Sequence, residues 1–362
     1  MKKSIYNIAI ALFLIPLVSF GNDKTPTKQR KSKTIKKEYS VDSNATVDID
    51  NKYGAINITT WNENRVEITV VITVKGSNES TLERRLRDIN VAFNATSDRV
   101  SAKTIIEKNR RSWSFWGGNR KNSSLQINYF IKMPVTNNVV LDNDYGSIVL
   151  NELNGSADIN CDYGKITIGE LNNTNNTINL DYCSPSTISF MEAGTIDVDY
   201  SKLTVDKTTT AKVNSDYSTL HFGSAKTITF NSDYGNITID NADNITGNTD
   251  YVSVRLGTIS KNLNLKADYG SLRIKEIIKG FENIDITGKY VSIKIGTSTH
   301  NSFDFTIDLS YAGFRYNENH VDLRKDIQKS SKKHFEGFYG KGTSSSKLTI
   351  KSQYGSVSLT EL

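Results

Sequence analysis

Histidine is scarce in this sequence, and the familiar catalytic motifs are missing from it. The four His residues, His221, His300, His320 and His334, show no metal-ligand spacing. His221 falls between two apolar positions of an alternating segment, which predicts that its side chain points outward. There is no Ser-His-Asp order with a nucleophile elbow, no phosphate-binding loop and no isolated carboxylate pair. The sequence therefore predicts no catalytic residue, no metal site and no cofactor.

Long apolar runs are missing after the first 21 residues. Met1-Lys2-Lys3 precedes an apolar stretch from Ile5 to Val18, and Ser19-Phe20-Gly21 suits signal peptidase. We therefore expect residues 1–21 to be a signal peptide and the mature chain to be exported. No Cys stands directly after the apolar stretch, so a lipid anchor is not expected. No later stretch approaches the roughly 20 apolar residues of a membrane helix, so no transmembrane segment is predicted.

Positive charge is scarce outside the N-terminal region. The net charge of +6 arises from Lys and Arg residues that precede residue 38, and the rest of the chain is slightly acidic. Residues 22–39 are predicted to be a basic disordered linker, which either keeps the mature N-terminus solvated or contacts anionic lipid. An exported chain with an acidic body is not expected to bind nucleic acid.

Tyrosine is abundant and periodic. A Tyr preceded by Asp recurs every 17 to 19 residues. These residues are Tyr145, Tyr163, Tyr182, Tyr200, Tyr217, Tyr234, Tyr251 and Tyr269. Looser copies extend the register at Tyr53, Tyr290, Tyr311 and Tyr354. This is the signature of a repeat protein.

Apolar residues alternate with polar ones on both sides of each Tyr. The positions three and five after it are almost always apolar, as in Ile148 and Leu150, which predicts strands with one buried face. The alternation breaks at Asp-Tyr-Gly-Ser, where residues such as Gly146 are expected to take a positive φ. The Asp is expected to bond nearby backbone amides. Each repeat therefore reads as strand, turn, strand and a second loop.

Repeats this short must pair with their neighbours, because they hold no helix for an ordinary parallel crossover. When like strands stack about 4.8 Å apart, the backbone N–H and C=O groups of each repeat can form hydrogen bonds with the neighbouring repeats. The predicted fold is an all-β, single-chain parallel β-solenoid, or β-helix, of about ten to twelve short coils. It occupies residues 40–362, with regular coils over 135–316.

Two segments depart from this register. Residues 66–134 are expected to form an N-terminal elaboration that covers the first coil. Its predicted elements are a strand Val66–Val74, a helix Glu79–Asn90 and strands Val91–Ala95, Val100–Ile106 and Leu125–Met133. Near the other end, residues 317–347 are predicted to be a loop insertion, either a lid or a mobile segment, before a terminal coil at 348–362.

The two cysteines fall in adjacent repeats. Cys161 occupies an inward position two residues before Tyr163, so it is expected in the core, whereas Cys183 takes a turn position. Export permits a disulfide, yet bridging requires Cα atoms within about 7 Å, which the repeat alone does not establish. A bridged and an unbridged pair both stay open.

An aromatic and basic loop is the first candidate binding segment. It contains Trp113, Phe115 and Trp116 among Arg110, Arg111 and Arg120. Indole rings could stack on sugars or lie at a membrane interface. The alternative is a hairpin tip whose aromatics fold back onto the protein.

The repeated Asp-Tyr pair is the second candidate. Like charges about 4 Å apart repel by only about 1 kcal/mol in water, and backbone amides could offset this. Bound Ca²⁺ is the alternative, but the repeat lacks the glycine-rich nonapeptide of calcium-binding β-rolls. The Tyr rings are expected to stack as a ladder on an outside corner, where they stiffen the fold or offer an aromatic strip to glycans.

The stretch Tyr53–Trp61, the strand Val66–Lys75, the strand end Lys132-Met133-Pro134 and the repeated Asp-Tyr-Gly-Ser-Ile coils resemble the bacterial putative-adhesin family of unknown function. The resemblance covers about Ser40 to Leu362. It implies an exported parallel β-solenoid with an adhesin-like head domain. It supplies no ligand residues, and the Tyr-rich corners differ from the Gly- and Ser-rich corners of many members.

These observations predict an exported, non-catalytic β-solenoid envelope protein that binds a glycan or another surface ligand. One alternative is a periplasmic or envelope-stress scaffold that docks a protein partner on an open coil end. Another is a carbohydrate-active enzyme, which would need carboxylates clustered in a groove. The periplasm, the outer surface and the extracellular space all stay open as locations, and the oligomeric state is not predicted.

Overall fold

The structure is a computed structural model that describes residues 29–107 and 124–362. Within these residues the chain is almost entirely β-strand with one α-helix, so the all-β class is confirmed. Where the sequence predicted one domain, the chain divides into two compact units, one ending at Asn173 and one beginning at Thr174. In the described part, no helix is both long and apolar enough to span a membrane.

In its described residues, 29–107 and 124–173, the first unit contains eleven strands and the helix. They are β1 Gln29–Ser40, β2 Thr46–Lys52, β3 Ile56–Trp61, β4 Arg65–Gly76, α1 Glu79–Arg87, β5 Ile89–Ala95, β6 Arg99–Ile106, β7 Ser124–Pro134, β8 Asn138–Asp144, β9 Ser147–Leu153, β10 Ala157–Asp162 and β11 Lys165–Leu171.

Strands of the first unit pair in parallel with the equivalent strands one repeat away. In one column β2, β8 and β10 are neighbours, and Ile49, Leu141 and Ile159 stand opposite one another. In a second column β3, β9 and β11 are neighbours in the same manner. Because the register is the same from one strand pair to the next, the buried residue of one strand lies against the buried residue of its neighbour. The alternating pattern thus becomes continuous apolar columns.

The predicted N-terminal strands are present, and they cover the first repeat. β6 pairs with the free edge of β2, and β7 pairs with that of β3. β4 then pairs antiparallel with β7, and β5 with β6. The helix begins after the N-cap Asn78 and buries Leu82 and Leu86, but it ends at Arg87 rather than at Asn90. Both edges of β2 and β3 are therefore paired.

The prediction of a disordered linker is wrong for residues 29–39, which belong to β1. This strand pairs antiparallel with β4 along its whole length. The Lys33 ammonium donates to the carbonyls of Leu86 and Ile89 at the end of α1, at 3.2 and 2.7 Å. Lys31 forms ion pairs with two Glu of the helix. The lysines thus protect an edge strand rather than solvate a tail. The signal peptide and residues 22–28 lie outside the described residues.

The second unit continues the numbering. Its elements are β12 Asn176–Asp181, β13 Ser186–Asp199, β14 Lys202–Asp216, β15 Thr219–Ile277, β16 Asn283–Thr297, β17 Phe303–Ser310, β18 Phe314–Arg315, a 3-10 turn Glu318–His320, β19 Val321–Gln328, β20 Lys332–Tyr339, β21 Lys347–Gln353 and β22 Val357–Glu361.

Parallel pairing of like positions also organises the second unit. β12, β13, β14, β15 and β16 pair in that order, again one repeat apart. β15 is a continuous run of 59 residues that passes through Tyr234, Tyr251 and Tyr269. Each of these three Tyr has a positive φ, which is where the backbone turns a corner.

The last repeat in the sequence is not the last in space. β21 pairs in parallel with β16 on one edge and with β17 on the other. β22 likewise pairs with β16 and with β18. The repeat at 347–361 is therefore inserted between the two repeats that precede it, and the prediction of a terminal coil at 348–362 is wrong in this respect.

The insertion at 317–347 is a β-hairpin rather than a loop. β19 and β20 pair antiparallel, and β20 pairs antiparallel with the outer edge of β17. Phe335 and Tyr339 of β20 are buried, which explains why an aromatic-rich segment follows a charged one. The hairpin thus covers β17, as the N-terminal strands cover β2 and β3.

Both cysteines are buried thiols. The Cys161 Sγ donates to the carbonyl of Gly146 at 3.6 Å, and the Cys183 Sγ donates to the carbonyl of Asp181 at 3.5 Å. The expected core position of Cys161 is confirmed. Cys183 is equally buried, because its turn position packs inside the corner.

Candidate functional site: the tyrosine ladder

The repeat Tyr residues all have left-handed backbone conformations. In the described part, every non-Gly residue with a positive φ is one of these twelve Tyr, with φ between 47° and 63°. The sequence predicted that the glycine after the Tyr would take this conformation, and that prediction is wrong. An L-residue in this region costs roughly 1–2 kcal/mol relative to glycine. Each corner therefore carries strain that a glycine would avoid.

Glycine follows several of these Tyr for a different reason, namely backbone approach. A Cβ at Gly146 would lie 1.7 Å from the carbonyl oxygen of Gly54, and one at Gly164 would lie 1.7 Å from that of Gly146. In the second unit a Cβ at Gly235 would lie 2.1 Å from the carbonyl oxygen of Ser218. At these corners the backbone of the preceding repeat lies where a side chain would be.

Backbone and side-chain hydrogen bonds hold each corner. The amide of Tyr200 donates to the carbonyl of Asp216 at 3.0 Å, and that of Tyr217 donates to the carbonyl of Asp233 at 3.0 Å. A buried serine adds a side-chain bond, since the Ser218 hydroxyl donates to the carbonyl of Asp216 at 2.8 Å. The backbone carbonyl of the Asp in these pairs therefore accepts a hydrogen bond from the Tyr of the preceding repeat. These bonds help to hold Tyr in its strained conformation.

The rings form a stacked ladder in each unit. In the first unit Tyr53 stacks on Tyr145 at 5.4 Å and Tyr145 stacks on Tyr163 at 5.0 Å between centroids. In the second unit successive rings lie 4.8–5.0 Å apart with interplanar angles of 1–10°. The order in the second unit is Tyr182, Tyr200, Tyr217, Tyr234, Tyr251, Tyr269, Tyr290, Tyr354 and Tyr311.

The ladder is exposed to solvent. Rings of the second unit that stack on both sides are 40–53% exposed, although their faces cover one another. What they present is therefore a column of ring edges and hydroxyl groups. Burial against these neighbours, followed by their charges, raises the pKa of Tyr200 and Tyr234. These two rings thus stay neutral and keep donor hydroxyls in neutral solution.

A polar column runs beside the rings. Asp199, Asp216 and Asp233 precede successive Tyr and are exposed, and the Asp199 carboxylate accepts from the amide of Asp216 at 3.2 Å. Further along the same strands, the side-chain amide of Asn214 donates to the carboxylate of Asp197 at 2.6 Å. The backbone bond to Asp199 is of the kind expected to offset like charge. Across the described ranges, no three His, Cys, Asp or Glu residues cluster as metal ligands would.

The histidines are engaged by carboxylates or lie near a hydroxyl. His221 points outward, as predicted, and lies 2.8 Å from Asp240. His334 of β20 lies between Asp308 and Glu336, with one ring nitrogen 2.7 Å from the first carboxylate and the other 2.6 Å from the second. These two contacts, led by Asp308, raise the pKa of His334. Both of its ring nitrogens are occupied, so neither is available as a general base.

The predicted aromatic and basic segment lies outside the described residues: Trp113, Phe115 and Trp116, with Arg110, Arg111 and Arg120.

A feature that sequence reasoning missed lies at the Tyr311 end of the ladder. A shallow cavity of about 460 Å³ opens there beside Tyr311, Tyr354 and Lys333. The only sequence signal for it is the Ser330-Ser331 pair, which interrupts the charged hairpin.

No family model matches this sequence, and no curated protein matches it. Solved structures do. A putative cell adhesion protein from Clostridium sporogenes is 9% identical with a TM-score of 0.17, and the match covers 90% of this chain and 99% of that one. A putative adhesin from Bacteroides fragilis is 11% identical with a TM-score of 0.25, over 90% and 97%. One from Parabacteroides merdae is 13% identical with a TM-score of 0.26, over 90% and 96%. The chain is thus similar to proteins described as adhesins, and the function proposed below rests on the ladder itself.

Proposed function

We propose that this chain is an exported, non-catalytic parallel β-solenoid of the cell envelope whose tyrosine ladder binds a glycan or another surface ligand. The parallel pairing of like positions one repeat apart supports the solenoid. The ring spacing of 4.8–5.0 Å in the second unit supports it too, because it equals the distance between neighbouring strands.

The observation that carries the binding role is an exposed ladder built at an energetic cost. Each ladder Tyr occupies a backbone conformation that glycine would adopt without strain. Stacking returns about 0.5–1.5 kcal/mol per pair, which roughly offsets that strain. Stability alone therefore gives little reason to prefer Tyr over Gly at these corners. Residues that are held in strained backbone conformations tend to cluster at functional sites.

The chemistry of the ladder fits a polyhydroxylated ligand. Its hydroxyl groups and the neighbouring carboxylates recur once per repeat, so they can hydrogen-bond a ligand that itself repeats. A column of ring edges and a column of polar groups run side by side along the strip, which suits sugars better than a purely apolar partner. The aromatic loop with Trp113 and Trp116 is proposed as a second contact for the same ligand.

Docking of a protein on an uncovered coil edge has less support. β6 and β7 pair with the edges of β2 and β3, and β20 and β21 pair with the two edges of β17. The edges that this alternative requires are thus already used. The enzyme alternative lacks a carboxylate groove in the described residues, where the strongest His-carboxylate cluster has both ring nitrogens occupied.

A glycan array probed with the full chain tests the proposal. In the ladder variant, Tyr200, Tyr217 and Tyr234 are replaced by Asn, which tolerates the left-handed conformation. In the control variant, Lys212 and Thr229, exposed on other strand positions, are replaced by Asn. We expect the ladder variant to lose glycan binding and the control to keep it.

Three other outcomes are informative. Loss of binding only in a Trp113→Ala, Trp116→Ala variant would move the site to the aromatic loop. Absence of glycan binding by the unmodified chain would contradict the proposal. Protection of the protein from protease added to intact cells, with cleavage after the outer membrane is permeabilised, would contradict a surface location.

A further inference from the structure

The open end of the ladder at Tyr311 differs from every interior position in the second unit. Interior rings have both faces covered by neighbouring Tyr, whereas Tyr311 stacks on Tyr354 alone in the part of the chain that the structure describes. Its exposed fraction is correspondingly larger, at 65% against 40–53% for the rings that stack on both sides. Tyr311 thus keeps one aromatic face uncovered, whereas the interior rings have both faces covered by stacking.

The backbone of the ladder continues beyond Tyr311, but the rings do not. The amide of Tyr311 donates to the carbonyl of Ser331 at 2.8 Å, as the amide of Tyr217 donates to the carbonyl of Asp233. The turn of the β19–β20 hairpin therefore takes the place of a further repeat. Its residues at this point, Ser330 and Ser331, are small. A ring-sized position is left open where the next Tyr would stand.

The cavity at this position has the size and lining of a sugar subsite. Its volume of about 460 Å³ lies within the range of ligand sites, roughly 300–1,000 Å³. Tyr311, Tyr354, Ser330, Ser331 and Lys333 are among its lining residues. The hydroxyl groups can donate to and accept from sugar hydroxyls.

Lys333 gives this cavity a positive charge. It is half-buried on β20, and its backbone lies opposite Leu309 and Gln328. Within the described residues it forms no ion pair, whereas Lys325 of the same hairpin pairs with Glu336. The ammonium group is therefore available to an anion that enters the cavity.

We propose that the Tyr311 end of the ladder is a subsite for a sugar ring that carries a carboxylate. The ring would stack on the open face of Tyr311 in the position of the next Tyr, with its carboxylate toward Lys333. Sugar C–H groups favour the electron-rich face of an aromatic ring, and a carboxylate favours the ammonium. This rests on the proposed glycan-binding function and narrows it to one class of ligand and one end of the ladder.

The test is a titration of the full chain with a tetragalacturonate and with its carboxyl-reduced, neutral form. A sialylated oligosaccharide in a third arm distinguishes the two natural sources of acidic sugar. We expect the unmodified chain to prefer an acidic oligosaccharide. Tyr311→Leu should weaken its binding by about tenfold, through loss of the stack and of the site that the ring shapes. Lys333→Gln should equalise the acidic and neutral forms and remove the dependence on salt.

Two further variants keep the outcome interpretable. Ser330→Trp places a ring in the cavity without removing any ladder contact, and it should block binding even if Tyr311→Leu impairs folding. Lys325→Gln is the matched control for Lys333→Gln, since it removes a cation of the same hairpin that does not line the cavity, and it should bind as the unmodified chain does.

Each remaining result overturns the subsite. Loss of binding in the variant with Asn at Tyr200, Tyr217 and Tyr234, together with full binding in Ser330→Trp, would place the ligand along the strip, so the proposed function would stand and this subsite would fall. Equal affinity for acidic and reduced forms in the unmodified chain would remove the role of Lys333. If no acidic oligosaccharide binds the unmodified chain but a neutral glycan of the array does, the subsite falls and the proposed function stands; if no glycan binds, both fall.

Discussion

Replacing Tyr217 tests the physical account of the ladder most directly. Tyr217 stacks on Tyr200 at 5.0 Å and on Tyr234 at 4.8 Å, and it is 53% exposed. Each stacked pair contributes about 0.5–1.5 kcal/mol, so loss of both lowers the free energy of unfolding by about 1–3 kcal/mol. Tyr217→Ala should show this full loss, because alanine keeps the strained left-handed conformation at φ 50°.

Glycine at the same position separates the two contributions. Tyr217→Gly loses the same stacks but relieves roughly 1 kcal/mol or more of backbone strain. We therefore expect the Gly variant to be more stable than the Ala variant by about 1 kcal/mol. At an ordinary exposed strand position the order is reversed, because glycine loses more conformational entropy on folding. Tyr217→Phe keeps both stacks and should match the unmodified chain.

The assay is denaturant-induced unfolding of the full chain, followed by circular dichroism and by tyrosine fluorescence. Most exposed substitutions change stability by less than about 0.5 kcal/mol. An Ala variant within that margin would show that the stacks contribute nothing. A Gly variant less stable than the Ala variant would refute the assignment of strain to the Tyr backbone.

Three further predictions concern packing, spatial order and pH. Gly164→Ala should destabilise the first unit by about 1–3 kcal/mol in thermal unfolding, since its Cβ would lie 1.7 Å from a carbonyl oxygen, whereas Gly313→Ala, with nothing within 4 Å, should be neutral. Tyr354→Ala should destabilise more than Tyr311→Ala, because Tyr354 stacks on two rings and Tyr311 on one, and equal losses would contradict the inserted position of the last repeat. The raised pKa of His334 means that its protonated form stabilises the folded state, fully at pH below its ordinary pKa of about 6.5 and no longer once the pH exceeds the folded pKa. Melting temperatures measured from pH 5.5 to 8 should therefore fall more for the unmodified chain than for His334→Asn, and parallel curves would contradict this.

Much of the repeat architecture could be predicted from local sequence. Ile148 and Leu150 were expected to face inward from their spacing after Tyr145, and both are buried. Period-two alternation needs no long-range information, because successive side chains of a strand point to opposite faces. The helix at Glu79 was predicted from apolar residues at helical spacing, and the strands around it were predicted from alternation.

The corner conformation could not be predicted in this way. Glycine adopts a positive φ with least strain, so Gly146 was the reasonable choice over Tyr145. In the structure Tyr145 takes that conformation, and Gly146 instead admits the backbone of Gly54 from another repeat. Which residue turns the corner depends on a neighbour that is distant in sequence.

Long-range partners also explain the other departures. The lysines of β1 gave it the composition of a disordered segment, yet β4 supplies a full set of backbone partners. The sequence could not indicate this, because a strand edge becomes a partner only after β4 has folded.

The sequence by itself determined the length of the repeat, the inward apolar positions and the recurrence of Tyr at one corner, because each is written in residues close together along the chain. The tertiary structure alone decided that the rings stack, that the repeat containing Tyr354 lies between those of Tyr290 and Tyr311, and that a hairpin leaves the last ring open. These features arise from pairing between strands that are far apart in sequence, and backbone hydrogen bonds that form such pairs carry no side-chain signature.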